Sequence, residues 1–375
     1  MNDLFGPQFN SSRLTLARKR RGLKKKELAE LVGVETRSIT AYEAGEYAPD
    51  DSRLDRMVQL LGFPRDFFFE DDLDEVPYEA VAFRSVKRMT AAQRDRALAA
   101  GAFALLLSRW LEKKYILPEP DVPNLADERT PEEAAEVLRG LWDLGQIPVK
   151  NMIHLLESRG VRVFSLAVDS LDLDAYSMWV EATPFVFLNL RKSSERSRFD
   201  AAHELGHLVL HTESVARGPK AEKEADRFAS AFLMPRDSII GLCSRITTLQ
   251  QVIVAKQNWK VSVMALVRRL YDLGLLTEWQ HRSFCVKAAK LGYRTSEPKS
   301  CEREVSKLLR TVFSLLREDG ISRSALCAKL RLPEDEIDQL TFGLAFTVLS
   351  GTTDVETPIS HTRPRLTVIN GGKSR

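Results

Sequence analysis

The segment RFDAAHELGHLVLH, residues 198–211, places three of the chain's six histidines within nine positions on an otherwise apolar background. Such a run fits a helix that is buried over most of its circumference and keeps a polar stripe on one side. His203 and His207 are four apart, so on a helix they leave the same face one turn apart, the spacing at which two imidazoles share a metal ion. Glu204 lies beside them and can take a proton from an activated water without being a ligand itself. Such a site needs a third protein donor, and the next helical run, KAEKEADRFASAFLMP (220–235), supplies candidates. Glu222, Ala225, Asp226 and Ala229 form one stripe whose alanines permit close approach to the histidine helix. Glu222 is expected to reach the metal and Asp226 to orient a ligand histidine. Glu224, on another face with Phe228, and His211, four residues beyond His207, stay open as alternative donors. Two histidines and a carboxylate suit Zn²⁺ and also admit Mn²⁺.

A chain of 375 residues carries more than this one helix, and its length argues for two or three domains. The net charge of +3 conceals an uneven distribution. Eight Lys or Arg and no Asp or Glu lie between Leu4 and Lys26, whereas EDDLDEVPYE (70–79) is acidic and reads as a linker. Within residues 13–63, apolar residues recur at helical spacing around Leu14, Leu28 and Ile39, with breaks at Gly33, Gly45 and Pro49. Two short helices joined at LVGV make a helix-turn-helix.

Residues 11–66, including YEAGEYAP and LDRMVQLLGF, resemble an XRE-type (Cro/C1 repressor-like) DNA-binding domain. The resemblance implies double-stranded DNA as a partner, with the helix near Glu35 to Tyr42 in the major groove and Thr36, Arg37 and Thr40 against base edges. Where that family often carries glutamine early in the second helix, this chain has Lys25, which favours phosphate contact over base reading.

Further along, PEEAAEVLRGLWDLG reads as a helix capped by Thr130 with Pro131 in its first turn. VRVFSL, AYSMWVE and FVFLNL read as strands of a small sheet just before the histidine helix. Together with ERSRFDAAHELGHLVLH and EKEADRFASAFLMP, this arrangement resembles the ImmA/IrrE family of zinc-dependent endopeptidases over roughly residues 80–295. The resemblance implies an α+β zincin-like domain whose relatives cut XRE-type repressors, with His203, His207 and Glu222 as metal ligands and Glu204 as general base. Tyr176 is a further candidate, as hydrogen-bond donor to the reaction intermediate or as a core residue.

The expected architecture is therefore multi-domain. An all-α helix-turn-helix domain (1–70) and an acidic linker (71–79) precede the metallopeptidase domain (80–295). A mostly helical C-terminal region (296–360) and a disordered basic tail (361–375) follow. GISRSALCAKLRLPEDEIDQLTFGL in the C-terminal region resembles a second helix-turn-helix only weakly and is read as part of a helical cap. Four scattered cysteines without a CxxC pair, and no apolar run long enough to span a bilayer, predict a cytoplasmic protein with no membrane partner. Two functions fit. One is a DNA-binding metallo-endopeptidase that cleaves a repressor or partner toxin; the other is a transcriptional regulator or antitoxin, a homodimer in either case being compatible, whose peptidase-like domain senses without cutting.

Overall fold

The computed structural model describes residues 8–74, 76, 90–128, 130–166, 174–211 and 218–349. Part of the expected linker and the whole expected tail lie outside these residues. The N-terminal unit is all helical: α1 (Ser11–Arg20), α2 (Lys25–Val32), α3 (Thr36–Ala44) and α4 (Asp51–Leu61), followed by a 3₁₀ turn, Arg65–Phe69. Leu14, Leu28, Ile39, Leu54 and Met57 close its core. The tight α2–α3 turn depends on Gly33, which holds φ +80 and ends α2 in the left-handed region.

A long alanine-rich helix, α5 (Ala91–Glu112), packs against α1 on one side and the sheet on the other. The sheet contact is close: a Cβ at Gly101 would lie 2.8 Å from Tyr176 Oη, which donates to the Ala97 carbonyl at 3.1 Å. After α6 (Pro131–Leu141) and α7 (Met152–Ser158) come β1 (Arg162–Ser165), β2 (Ala175–Val180) and β3 (Thr183–Leu188). The strand order is β1-β3-β2, with β1 parallel and β2 antiparallel to β3. Val180 pairs with Thr183 across the two-residue Glu181–Ala182 turn, where Glu181 takes φ +54.

Alternation along these strands divides the interior. Phe164, Tyr176, Met178, Phe185 and Phe187 join α5, the N-terminal unit and the C-terminal helices in one apolar cluster. Val163, Ala175, Val186 and Leu188 face the second cluster. That cluster is built from α6, α7, α8 (Ser194–Leu210), α9 (Pro219–Leu233) and the following α10 (Arg236–Cys243), α11 (Leu249–Ala255), α12 (Val263–Asp272) and α13 (Glu278–Lys290). The described residues end with α14 (Lys307–Glu318), α15 (Arg323–Leu330), α16 (Glu334–Leu340) and α17 (Leu344–Leu349). Among the described residues no helix is long and apolar enough to cross a membrane.

Helix α7 caps the start of α14, and the segment leading into α14 caps α7. Glu157 accepts from the Lys307 and Leu308 amides, both at 3.0 Å, while Glu304 accepts from the Met152 and Ile153 amides at 2.7 and 3.2 Å. Burial pushes the Glu157 carboxyl up to about 7 despite those donors. A carboxyl raised in the folded state contributes stability below its unfolded value and loses it as pH rises through the folded value. Relative to Glu157→Gln, the parent should therefore lose on the order of 3 kcal/mol between pH ~4.5 and ~7. Urea unfolding of both chains across that range measures it; parallel profiles would show that Glu157 stays ionised throughout.

Candidate functional site

The site is made where α9 crosses α8, and small residues set how closely they meet. A Cβ at Gly206 would lie 3.0 Å from the Phe228 ring and 3.2 Å from the Ala225 Cα, so glycine permits this approach. Ala225 and Ala229 are fully buried in the same joint. The contact turns Glu222 toward the two histidines. His203 Nε2 and His207 Nε2 are 3.1 Å apart, and the Glu222 oxygens lie 3.5 and 3.4 Å from them. A tetrahedral ion with bonds of ~2.0–2.1 Å requires donor separations of roughly 3.3 Å; each histidine meets one Glu222 oxygen near that distance, and one atom from each of the three residues lies within 4.8 Å of the others.

The protonation states suit a cation as well. Burial pushes the His207 imidazole down to about 4 and so keeps it neutral. Burial pulls the Glu222 carboxyl upward, but hydrogen bonds from His203 and His207 outweigh it and hold the group well below the usual carboxylate range. Neutral imidazole and ionised carboxylate are the donor forms a divalent ion takes.

Around the triangle lies a set of supporting contacts. His203 Nδ1 is 2.9 Å from Asp226 Oδ1, which turns Nε2 toward the site. Behind His207, Nδ1 meets His211 Nδ1 at 3.1 Å, and His211 Nε2 meets Glu224 Oε2 at 3.1 Å. His211 and Glu224, the two alternative donors, thus sit together behind a histidine rather than with Glu222; α8 ends at Leu210, leaving His211 just past its last turn. Among the described residues Glu204 does not join the donor group. It is fully buried, and its Oε2 accepts from Ser177 Oγ at 2.7 Å.

Ser177 is a contact that sequence reasoning missed. The available signal was the period of two in AYSMWV, which puts Ala175, Ser177 and Trp179 on one face of β2 and Tyr176 on the other. Trp179 Nε1 donates to the Leu208 carbonyl at 3.3 Å, tying the same strand face to α8. Tyr176, with its hydroxyl on α5, is a fully buried core residue on the sheet face opposite Ser177 and Glu204. Of its two readings, donor to the reaction intermediate or core residue, this position matches the second.

Asp226→Asn should lower metal affinity about 10- to 100-fold while leaving the fold intact, because the His203 ring loses the carboxylate that orients it. Competition with a metal-binding dye reads this directly; unchanged affinity would mean that the contact does not support the metal.

On the N-terminal unit, Thr36, Arg37 and Thr40 lie on exposed turns of α3. Arg37 Nε pairs with Glu35 at 2.7 Å, and Thr40 Oγ1 donates to the Thr36 carbonyl at 3.1 Å. Lys25 Nζ is 3.3 Å from Glu43, which Arg18 also holds, so a phosphate must compete with that carboxylate for Lys25. Arg13 donates to the Asp71 carbonyl at 2.7 Å, and Arg20 and Arg21 both pair with Glu336. Half of the eight basic residues, Arg13, Arg18, Arg20 and Arg21, are thus engaged within the protein, whereas Lys24 and Lys26 are exposed.

Residues 156–271, from α7 through α12, match the family described as the IrrE N-terminal-like domain of the M78 peptidases. Residues 14–68 match the helix-turn-helix family. No curated protein matches the chain in direct comparison.

Proposed function

From a chain that joins a helix-turn-helix domain to an IrrE-like metallopeptidase-type domain, we propose a DNA-binding, zinc-dependent endopeptidase that regulates transcription by cutting a regulatory protein. The observation that carries this reading is the triangle of His203, His207 and Glu222 donor atoms, with Glu204 held beside it by Ser177. Mn²⁺ suits the same donors. When bound, the metal lowers the pKa of water and polarises the scissile carbonyl. The protein's own part is positional and acid–base. His203, His207 and Glu222 hold the ion, and Asp226 fixes the His203 ring. The Ser177 hydroxyl orients the Glu204 carboxylate, which accepts a proton from the attacking water and returns it to the departing amine. The substrate class is a protein regulator of the XRE repressor type or a partner toxin, encountered in the cytoplasm, with duplex DNA bringing the peptidase to it; a homodimer on a two-fold operator is compatible. Incubating purified protein with Zn²⁺ or Mn²⁺ and candidate repressors, with Glu204→Gln as control, tests it. The helix-turn-helix in the same chain supports a second reading, a DNA-binding sensor that has kept a peptidase fold, and regulation undiminished in Glu204→Gln would select that one.

DNA binding has its own expected signature. With Arg13, Arg18, Arg20 and Arg21 engaged internally, the other four of the eight, Lys19, Lys24, Lys25 and Lys26, are left to meet phosphate, which predicts a log–log salt slope of about −3 to −4 rather than the roughly −7 of eight free cations. Fluorescence anisotropy from low to high salt measures the slope, and a value near −7 would mean that the internal pairs open on DNA.

A further inference from the structure

The C-terminal helices repeat the N-terminal unit at a constant distance of 298 positions. α2 (Lys25–Val32) and α15 (Arg323–Leu330) are both eight residues long and begin that distance apart, as do α3 at Thr36 and α16 at Glu334. Left-handed positions coincide: Gly22 (φ +70) with Gly320 (+72), Gly33 (+80) with Arg331 (+53), and Gly45 (+71) with Gly343 (+73). Backbone bonds coincide too. Leu23 N to Arg18 O corresponds to Ile321 N to Leu316 O, and Val34 N to Ala29 O to Leu332 N to Cys327 O. So do the core positions, Leu28 with Leu326, Val32 with Leu330, Ile39 with Ile337 and Tyr42 with Leu340, all buried. The helical cap expected from the sequence is therefore a second helix-turn-helix. Periodicity alone concealed it because its turn carries Arg331 where the first unit has Gly33.

What differs is the helix that would read DNA. Thr36, Arg37 and Thr40 of α3 correspond to Glu334, Asp335 and Asp338 of α16, and Glu336 is acidic as well. Four carboxylates on one short helix, served by three arginines (Arg20, Arg21 and Arg323) that are themselves held by them, leave no cation at the reading positions to meet phosphate. One side of that helix instead meets protein, while Glu334 and Asp335 stay exposed. Glu336, 0% exposed, takes Arg20 of α1 at 2.6 Å and Arg21 at 2.8 Å; the Arg20 side chain is 2% exposed, and Gln339 adds a contact to Arg20 at 3.3 Å. Arg331, in the second unit's turn, reaches Asp66 and Glu70 behind the first unit at 3.3 and 3.2 Å. These contacts leave α3 open, with Arg37 84% exposed.

We propose that residues 307–343 are a duplicated helix-turn-helix whose reading helix has exchanged DNA for protein. Its partner is α1 of the first unit, so each chain presents one DNA-reading helix, braced from behind by its own repeat. The buried pair is the point to test, because removing Glu336 strands Arg20, whereas replacing both with apolar groups restores the packing and leaves Arg21, a quarter exposed, with Asp335 and the Leu61 carbonyl. In the full chain, Glu336→Leu should speed amide hydrogen exchange in α1 and α16 by about tenfold or more while α8 and α9 keep the parent's protection. The double variant Arg20→Met/Glu336→Leu should return α1 to parental exchange. Unchanged α1 exchange in the single variant overturns the docking, and so does a failure of the double variant to restore it, including where the single variant unfolds throughout. In a separate arm, alanine at Thr36, Arg37 and Thr40 together should remove duplex affinity from the full chain. If affinity persists there and then rises when Glu334 and Asp335 are changed to Gln and Asn, α16 reads DNA and the proposal falls. The exchange arm stands even if the parent binds no duplex, so failure of the DNA-binding reading is distinguishable from failure of this one.

Discussion

Glu204→Gln is expected to abolish cleavage of the protein target, by about 10²- to 10⁴-fold, with bound metal at the parental stoichiometry. The side chain keeps its shape and can still accept the Ser177 hydroxyl at the oxygen now held at 2.7 Å, so the fold and the His203–His207–Glu222 triangle have no reason to move. What disappears is a group that can take up a proton. Ser177→Ala should act in the same direction but more weakly, since it releases the carboxylate without removing it. The measurement is single-turnover cleavage followed by mass spectrometry, with metal content determined on the same samples. A glutamine variant that cuts at the parental rate removes Glu204 from the chemistry, and one that loses its metal as well shows a structural role instead.

Alanine at His203, His207 or Glu222 should each lower metal affinity by more than about a hundredfold, exceeding the effect of Asp226→Asn, because each removes a direct donor rather than an orienting group. The fold should survive these changes. The α8–α9 joint is closed by Gly206, Ala225, Phe228 and Ala229, all packed without reference to an ion, so far-ultraviolet circular dichroism should be the same with and without chelator. Elemental analysis and isothermal titration with Zn²⁺ decide the first part. Full occupancy in Glu222→Ala would transfer the third position to another donor, with the Glu224–His211 pair behind His207 the nearest candidate. Global unfolding on chelation would mean that the metal, and not the small-residue contact, holds the helices together.

Much of this site was legible in the linear sequence because helical and strand periods are local. Four residues between His203 and His207 suffice to put both on one face, and the stripe Glu222, Ala225, Asp226, Ala229 is visible for the same reason. The helix-turn-helix was legible from its own punctuation at Gly33 and Gly45. The three strand segments were legible from β-rich runs, and they do pair as one sheet.

Other features needed the third dimension. Which carboxylate of α9 faces the histidines follows from the angle at which two helices cross, and that angle is set by a glycine meeting an alanine and a phenylalanine in another element. Ser177 reaches Glu204 because β2 lies along α8, a relation between elements that no spacing within either one encodes. The basic N-terminal segment looked uniformly available to DNA, yet Arg20 and Arg21 are paired with Glu336 more than 300 positions away. Sequence by itself determined the elements, their buried faces and the donor types, since these depend on neighbours within a turn or two. Tertiary structure decided which donors meet and which charges are already paired, because close packing brings together groups whose separation along the chain carries no information about their separation in space.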